Sequence, residues 1–314
     1  MRRVLRTGGW LLMLLLGAGT LVLVHAHIRI RQERTALPAV AEITRLAEAA
    51  DRPVRLAWVN TASQPMARSS VLDPRADPGP DAPYVMSHPS FVLQWADGRL
   101  LLIDLGMTRA GALAFGNLLH RVGAAEAIVP HTTVAEALGA AAQRVRGIVF
   151  THLHDDHVGG LDALCDVIHG PVPVFMTEAQ SERPNHTDRG GRRLIRQSGC
   201  VREQRLQGEG VLGVDGFPGV GVVRVAGHTP GSQVIVAYVG AQGYAFVGDV
   251  VNHIDGIRSD VPKPFLYSLL IVPEDRERLG EVRRYLRGLQ TDQHLILLPA
   301  HDQRWIEKAG IDSW

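Results

Sequence analysis

The sequence predicts a mixed α/β fold whose strands deliver histidine and aspartate side chains to one edge of a sheet system. Three observations lead there. Strand-like and helix-like patterns alternate in both halves of the 314-residue chain. A hairpin opens the body: Phe91–Trp95 and Leu100–Asp104 flank Asp97-Gly98, a dipeptide whose turn matches the twist of paired strands. Four short blocks carrying histidine or aspartate each follow a β-like apolar run.

In chain order, Arg2, Arg3 and Arg6 form a basic n-region, and Thr7 to Val24 is an uncharged run of 18 residues. That length is at the lower limit for spanning a bilayer, and Val24-His25-Ala26 offers small residues at the two positions a signal peptidase inspects. Residues 1–27 are therefore a signal peptide or an N-terminal membrane anchor. Either way the rest is placed outside the cytoplasm, exported (periplasmic or secreted) or membrane-anchored facing outward. Residues 28–82 form a lead-in, helix-like over Ala36–Ala50, with Val54–Asn60 as an edge strand and a proline-rich loop over 73–83. The main domain spans 83–314. Helical patterns follow the hairpin at 109–122 and 132–144, and then the strand leading to Phe150. Residues 180–208 are polar and arginine-rich, a solvated helix or a rim favouring anionic substrates. Val211–Val225 reads as strands broken by glycine, Ser232–Val239 and Tyr244–Val247 as two more strands, and Glu274–Leu289 as an amphipathic helix. Leu295–Leu298 is a buried strand.

The composition narrows the class. With 46% hydrophobic residues the chain can bury one large core or two small ones. A net charge of +1 gives no electrostatic reason to expect nucleic acid. Of 33 basic residues only Lys263 and Lys308 are lysines, so the arginines do not by themselves signal phosphate recognition. The two cysteines, Cys165 and Cys200, are a disulfide pair or two separate buried thiols.

The chemistry lies in the four blocks. THLHDDHVGG (151–160) places His152, His154, Asp156 and His157 directly after an apolar run; His228 stands in GHTPGS, Asp249 in FVGDVV and His301 in LLPAHD. His152 and His154 are two apart, so at an extended strand end both point one way and can share a metal. If the chain then turns into a helix, Asp156 and His157 swing toward a second ion, with Gly159 and Gly160 permitting close backbone approach. Seven oxygen and nitrogen donors without cysteine suit two divalent metal ions, zinc above others.

These motifs resemble those of the metallo-β-lactamase-fold hydrolases over roughly residues 83–305. The resemblance implies a four-layer αββα sandwich with the metal site at one edge of its two sheets. It implies that His152, His154 and His228 hold one ion, that Asp156, His157 and His301 hold the other, and that Asp249 bridges. A hydroxide between the ions would attack, with Asp156 the candidate to carry its proton to the leaving oxygen. Asp104, in an Asp-x-Gly at the hairpin end, is expected to support the site or to cap a turn.

The resemblance also narrows the reaction. True metallo-β-lactamases lack the bridging aspartate that Asp249 supplies, di-iron oxygen reductases carry glutamate where His154 stands, and nuclease relatives carry an extra domain. What remains is a binuclear metal-dependent hydrolase of a small-molecule lactone, ester or thioester. The alternatives are an organophosphate or phosphoester hydrolase of the same fold, or a non-catalytic metal-binding protein. Lactone-cleaving relatives often place a tyrosine three residues after the bridging aspartate; here that residue is Asn252. His253 is expected to offer a substrate hydrogen bond and His88 to line the pocket mouth, while His120, His131, His169, His186 and His294 are expected on the surface. Asp155 is expected to start a helix.

Overall fold

The computed structural model describes residues 2–314, with side chains from Met13 onward. The strands are β1 (Arg55–Met66), β2 (Tyr84–Gln94), β3 (Leu100–Ile103), β4 (Val129–Pro130), β5 (Val145–Val149), β6 (Val172–Met176) and β7 (Val201–Arg205), followed by β8 (Val211–Gly213), β9 (Val220–Arg224), β10 (Gln233–Val239), β11 (Gln242–Gly248), β12 (Ile296–Pro299) and β13 (Asp312–Ser313). They build two sheets. One runs β13-β1-β2-β3-β5-β6-β7, with β4 pairing β1; the other runs β12-β11-β10-β9-β8.

Apolar side chains on alternate faces fix the layers. Along β3, Leu101 and Ile103 pack into the core between the sheets with Phe91, Trp95, Phe175, Ile235 and Phe246. Leu100 and Leu102 face the other way, against the helical residues Val134, Leu138, Leu161 and Leu164. A strand buried on both faces reads as an unbroken apolar run rather than an alternating one. The outer face of the second sheet, through Val234, Val236, Ala245 and Leu297, packs on Leu279, Val282, Leu286 and Leu289 of the helix Arg276–Asp292. The result is helix, sheet, sheet, helix: the four-layer αββα sandwich.

The hairpin forms in the expected register, Phe91 opposite Ile103 and Gln94 opposite Leu100, with Gly98 at positive φ in its turn. Helices occupy Arg109–Arg121 and Val134–Leu138, the second begun by a capping box in which Thr133 and Glu136 satisfy each other's backbone N–H groups. Cys165 and Cys200 are joined in a disulfide.

Three expectations are corrected. The segment 54–60 is not an edge strand: β1 extends to Met66 and lies inside the sheet, between β2 and the short β13 and β4. A two-residue pairing at the far C-terminus carries no periodicity in the sequence, which is why β13 escapes notice. Residues 180–208 are not one solvated helix but Glu178–Glu182, Arg189–Gln197 and β7. Arg183, Arg192 and Arg205 there pair with Glu33, Glu203 and Glu182, and Arg192 is buried. These guanidinium groups are occupied by intramolecular carboxylates, so they do not form a rim for anionic substrates. Finally, Ala36–Ala50 is not continuous helix but two short turns, Val40–Thr44 and Arg45–Glu48, docked through Ile43 onto the outer core of the second sheet.

The N-terminal helix is one element, Arg2–Gln32. The side chains of Arg2, Arg3 and Arg6 lie outside the described residues.

Candidate metal centre

Each ligand-type residue sits just past the C-terminal end of a strand, or in the loop that leaves it. The His152–His157 turn follows β5, His228 lies between β9 and β10, Asp249 follows β11, and His301 follows β12. After β5 the chain is pinned before it turns: the Phe150 carbonyl accepts from the side-chain amides of Gln180 (2.9 Å) and Gln233 (2.8 Å), one on each side of the sheet interface. Asp155–Val158 then forms a single helical turn. Gly160 is required by proximity rather than by conformation: a Cβ there would stand 2.2 Å from the Leu105 carbonyl oxygen.

Within this frame one donor atom each from His152, His154, His228 and Asp249 falls within 4.8 Å of the others, and so does one each from His157, Asp249 and His301. Asp249 belongs to both groups. Its Oδ1 lies 3.0 Å from His301 Nε2 and 3.3 Å from His157 Nε2, while its Oδ2 lies 3.5 Å from His228 Nε2. Asp156 approaches the second group, with Oδ2 3.4 Å from His301 Nε2.

Groups behind these histidines fix their orientation. Asp104 Oδ2 accepts from His157 Nδ1 (2.8 Å) and the Thr151 hydroxyl (2.7 Å), and its Oδ1 accepts the Thr151 backbone N–H (2.7 Å). The Ser87 carbonyl accepts from His301 Nδ1 at 2.7 Å. Glu274 Oε1 accepts from His228 Nδ1 at 2.6 Å and from Lys263 Nζ at 2.8 Å, and Lys263 also donates to the Asp249 carbonyl. A hydrogen bond at Nδ1 fixes the tautomer and leaves Nε2 free to coordinate.

The electrostatics favour a cation. Burial holds His152 well below the ordinary imidazole range and, with the neighbouring His228, brings His154 down to about 3. Asp249 stays ionised although burial opposes it, because His301 and His152 surround it. His157 and His301 move the other way: burial lowers them, but Asp104 and Asp156 raise the first and Asp249 raises the second. Nε2 of His152, Nε2 of His157 and Oδ1 of Asp249 are buried without a hydrogen-bond partner. Each such orphan costs about 1–3 kcal/mol, and two cations, one in each group, would satisfy all three. The donor set therefore fits two ions of borderline hardness.

Beside this edge lies a cavity of about 480 Å³. His154, Asp156, Asp249, Asn252 and His301 form its polar floor; Met66, Val71, Met86, Phe115, Leu119, Val122, Ile271 and Val272 form apolar walls. The rest of its lining includes Tyr267, eighteen residues beyond Asp249, so a tyrosine does approach the centre although none stands beside Asp249 in sequence.

Two further histidines depart from expectation. His88 is not at the mouth: it is fully buried on β2, its Nδ1 3.3 Å from Asp156 Oδ2, and it groups with Asp156 and His301. His253 does not line the cavity; its Nε2 lies 2.9 Å from Arg68, whose guanidinium is held by Asp77 and Asp255. The five histidines expected on the surface are there, and Asp155 stands exposed in the first turn of its helix. Glu274 and Lys263 were not legible as site residues, since an acid at a helix start and a lone lysine are routine in any sequence. Asp104 has the supporting role rather than the turn-capping one.

No curated protein is similar enough in sequence to match the chain. Solved structures do match in fold. An N-acyl homoserine lactone hydrolase, with the product N-hexanoyl-L-homoserine at its catalytic metal centre, superposes with a TM-score of 0.60 at 16% identity, covering 84% of this chain and 98% of that one. A probable metal-dependent hydrolase from Staphylococcus aureus gives 0.52 at 13% identity, covering 79% and 89%. A dizinc quorum-quenching lactonase gives 0.50 at 14% identity, covering 81% and 90%. The family model of the metallo-beta-lactamase superfamily matches residues 83–300, taking in three of the four blocks and ending one residue before His301. By that match, which spans most of its length, the chain belongs to the metallo-beta-lactamase superfamily.

Proposed function

We propose that this protein is a binuclear metal-dependent hydrolase that cleaves a lactone, ester or thioester carrying an apolar acyl portion. The observation that carries the reading is Asp249, whose two oxygens face two separate histidine groups at the floor of an apolar cavity. His152, His154 and His228 are assigned to one ion and Asp156, His157 and His301 to the other, with Asp249 shared and zinc the preferred metal. Ions bound there would supply Lewis acidity, polarising an acyl carbonyl and acidifying water.

The chain's own residues do the rest. Glu274 and Asp104 hold His228 and His157 in fixed tautomers. The walls from Phe115 to Val272 exclude water and seat the acyl portion. Asp156, buried at the floor and held in its ionised form by His157, His88 and His301 against the opposing effect of burial, is placed to take a proton and return it to the leaving oxygen. A phosphoester reading is weaker, because neither arginine nor lysine lines the cavity to meet a phosphate. A purely structural metal site is weaker too, since a structural centre is closed by protein ligands whereas this one borders open space.

The N-terminal helix is assigned as a retained anchor, with the catalytic part outside the cytoplasm. What supports retention is that the end of the helix is built into the fold, Ala26 being 1% exposed and His27 Nε2 lying 3.2 Å from the Leu269 carbonyl. The test is turnover of a small panel by the metal-loaded full chain: an N-acyl homoserine lactone, p-nitrophenyl acetate, a thioester, a phosphotriester and a β-lactam. Hydrolysis of the first three classes is expected. Turnover of the phosphotriester alone, or metal uptake with no turnover, would refute the reading.

A further inference from the structure

Between Lys263 and Glu274 the chain runs Pro-Phe-Leu-Tyr-Ser-Leu-Leu-Ile-Val-Pro, ten residues without a charge. Most of this ledge is not packed away. Leu266 is 63% exposed and Ile271 68%, with Phe265 and Leu270 each at half. Such a cluster on a soluble protein marks a contact surface.

Its neighbour says what it contacts. His27 of the N-terminal helix has Nε2 3.2 Å from the Leu269 carbonyl, and Arg34, just past the helix end, pairs with Asp275 at 2.6 Å. The helix is thereby fixed against the ledge. Over Met13–Val24 it carries exposed Met13, Leu14, Leu15, Leu16 and Leu21 and no polar stripe, and Met13–Gln32 is long and apolar enough to cross a membrane. Arg29 and Arg31 lie in its last turn, where their long side chains can reach out to headgroup phosphates.

We propose that the segment Pro264–Val272 rests in the lipid bilayer that the N-terminal helix enters, so that the cavity opens onto the membrane and takes amphiphilic substrates from it. The cavity mouth supports this. Ile271 on the ledge and Val122, 69% exposed at the end of the helix Arg109–Arg121, both line the cavity and both face outward. An acyl chain in the outer monolayer can pass between them without leaving apolar surroundings, while its polar head approaches Asp156 and Asp249. The substrate half of this inference rests on the proposed hydrolysis; the membrane contact does not.

The test uses the full chain in phosphatidylcholine–phosphatidylglycerol vesicles. Both native cysteines are in the disulfide, so a single cysteine introduced by Leu266→Cys or Leu270→Cys takes an environment-sensitive fluorophore alone. The control is Asp97→Cys in the hairpin turn, at the opposite end of β3 from the site. The ledge labels are expected to be quenched by nitroxide-bearing lipids and shielded from aqueous iodide, and the control the reverse. Ledge labels open to iodide would overturn the proposal, and so would labels shielded from iodide yet blind to the lipid quencher, the signature of a second protein copy on the ledge. In parallel, Leu266→Asp with Leu270→Asp should raise KM for a vesicle-borne long-chain ester about tenfold, with a soluble short-chain ester within twofold of the parent. Equal effects on both substrates would overturn the lateral-entry part. If neither ester is turned over, the hydrolase assignment fails, while the quenching pattern still decides the membrane contact.

Discussion

Glu274 and His228 stand 2.6 Å apart in the buried interior, and Lys263 shares the same carboxylate oxygen from 2.8 Å. Although burial opposes it, the Lys263 charge and the His228 bond draw the Glu274 carboxyl down to about 2. The trio ties the loop before β10 to the segment that starts the helix Arg276–Asp292 and so positions the His228 imidazole. Glu274→Gln keeps the shape but weakens the hold on the His228 tautomer. Metal affinity should fall about 10–100-fold in chelator competition. Both Glu274→Gln and Glu274→Ala should also destabilise the fold, by about 3–5 kcal/mol for the alanine, since each strands Lys263 without its counter-charge.

Asp104 plays the corresponding part for His157. Its φ of 56° is unusual for a residue other than glycine and is compensated by three hydrogen bonds to Thr151 and His157. Asp104→Ala should reduce the metal content of purified protein toward one ion per chain, leaving the His152–His154–His228 group loaded. Loss of both ions together, read by elemental analysis, would show that the two sites do not fill separately.

Asp156→Asn tests the proton-transfer role. The amide is close to isosteric but cannot accept a proton, so kcat should drop about 10²–10⁴-fold. A variant that retains both metals and full turnover would remove Asp156 from the mechanism.

Asp188 supplies a pH dependence from beside the centre, next to Thr187, whose hydroxyl lies 2.9 Å from His154 Nε2. Burial pushes its carboxyl from 3.8 up to about 7, outweighing the neighbouring backbone N–H groups and Thr229. A group that holds its proton more tightly when folded contributes stability that is full below about pH 4 and is lost as pH rises through about 7. Asp188→Asn does not titrate, so its melting temperature relative to the parent should rise by roughly 5 °C between pH 5 and pH 8. A constant difference across that range would show that the Asp188 carboxyl is not shifted.

The disulfide between Cys165 and Cys200 closes a loop with a sequence separation of 35. Replacing both with serine should cost about 2–4 kcal/mol in denaturant unfolding without changing metal stoichiometry.

What could be read from the sequence was local. The hairpin was legible because Asp97-Gly98 punctuates two apolar runs, and the 152–157 turn because its donors are close enough in sequence for strand and helix periods to place them. Long-range partners carry no such signal. Nothing near His88 reveals that it is buried 3.3 Å from Asp156, and nothing near Tyr267 reveals that the ledge carries it back to the cavity. The arginines of 180–208 misled for the same reason: their carboxylate partners include Glu33, some 150 residues away. The Cys165–Cys200 link was one of two readings because sequence gives no distance between two cysteines.

The most direct test is elemental analysis of full-length protein purified without chelator, beside an Asp249→Ala variant. Two ions of divalent transition metal per chain are expected in the parent. Fewer than one is expected in the variant, because a shared carboxylate serves both sites. A parent chain devoid of metal after incubation with zinc, or a variant that keeps both ions, would contradict the binuclear centre on which the proposed hydrolysis depends.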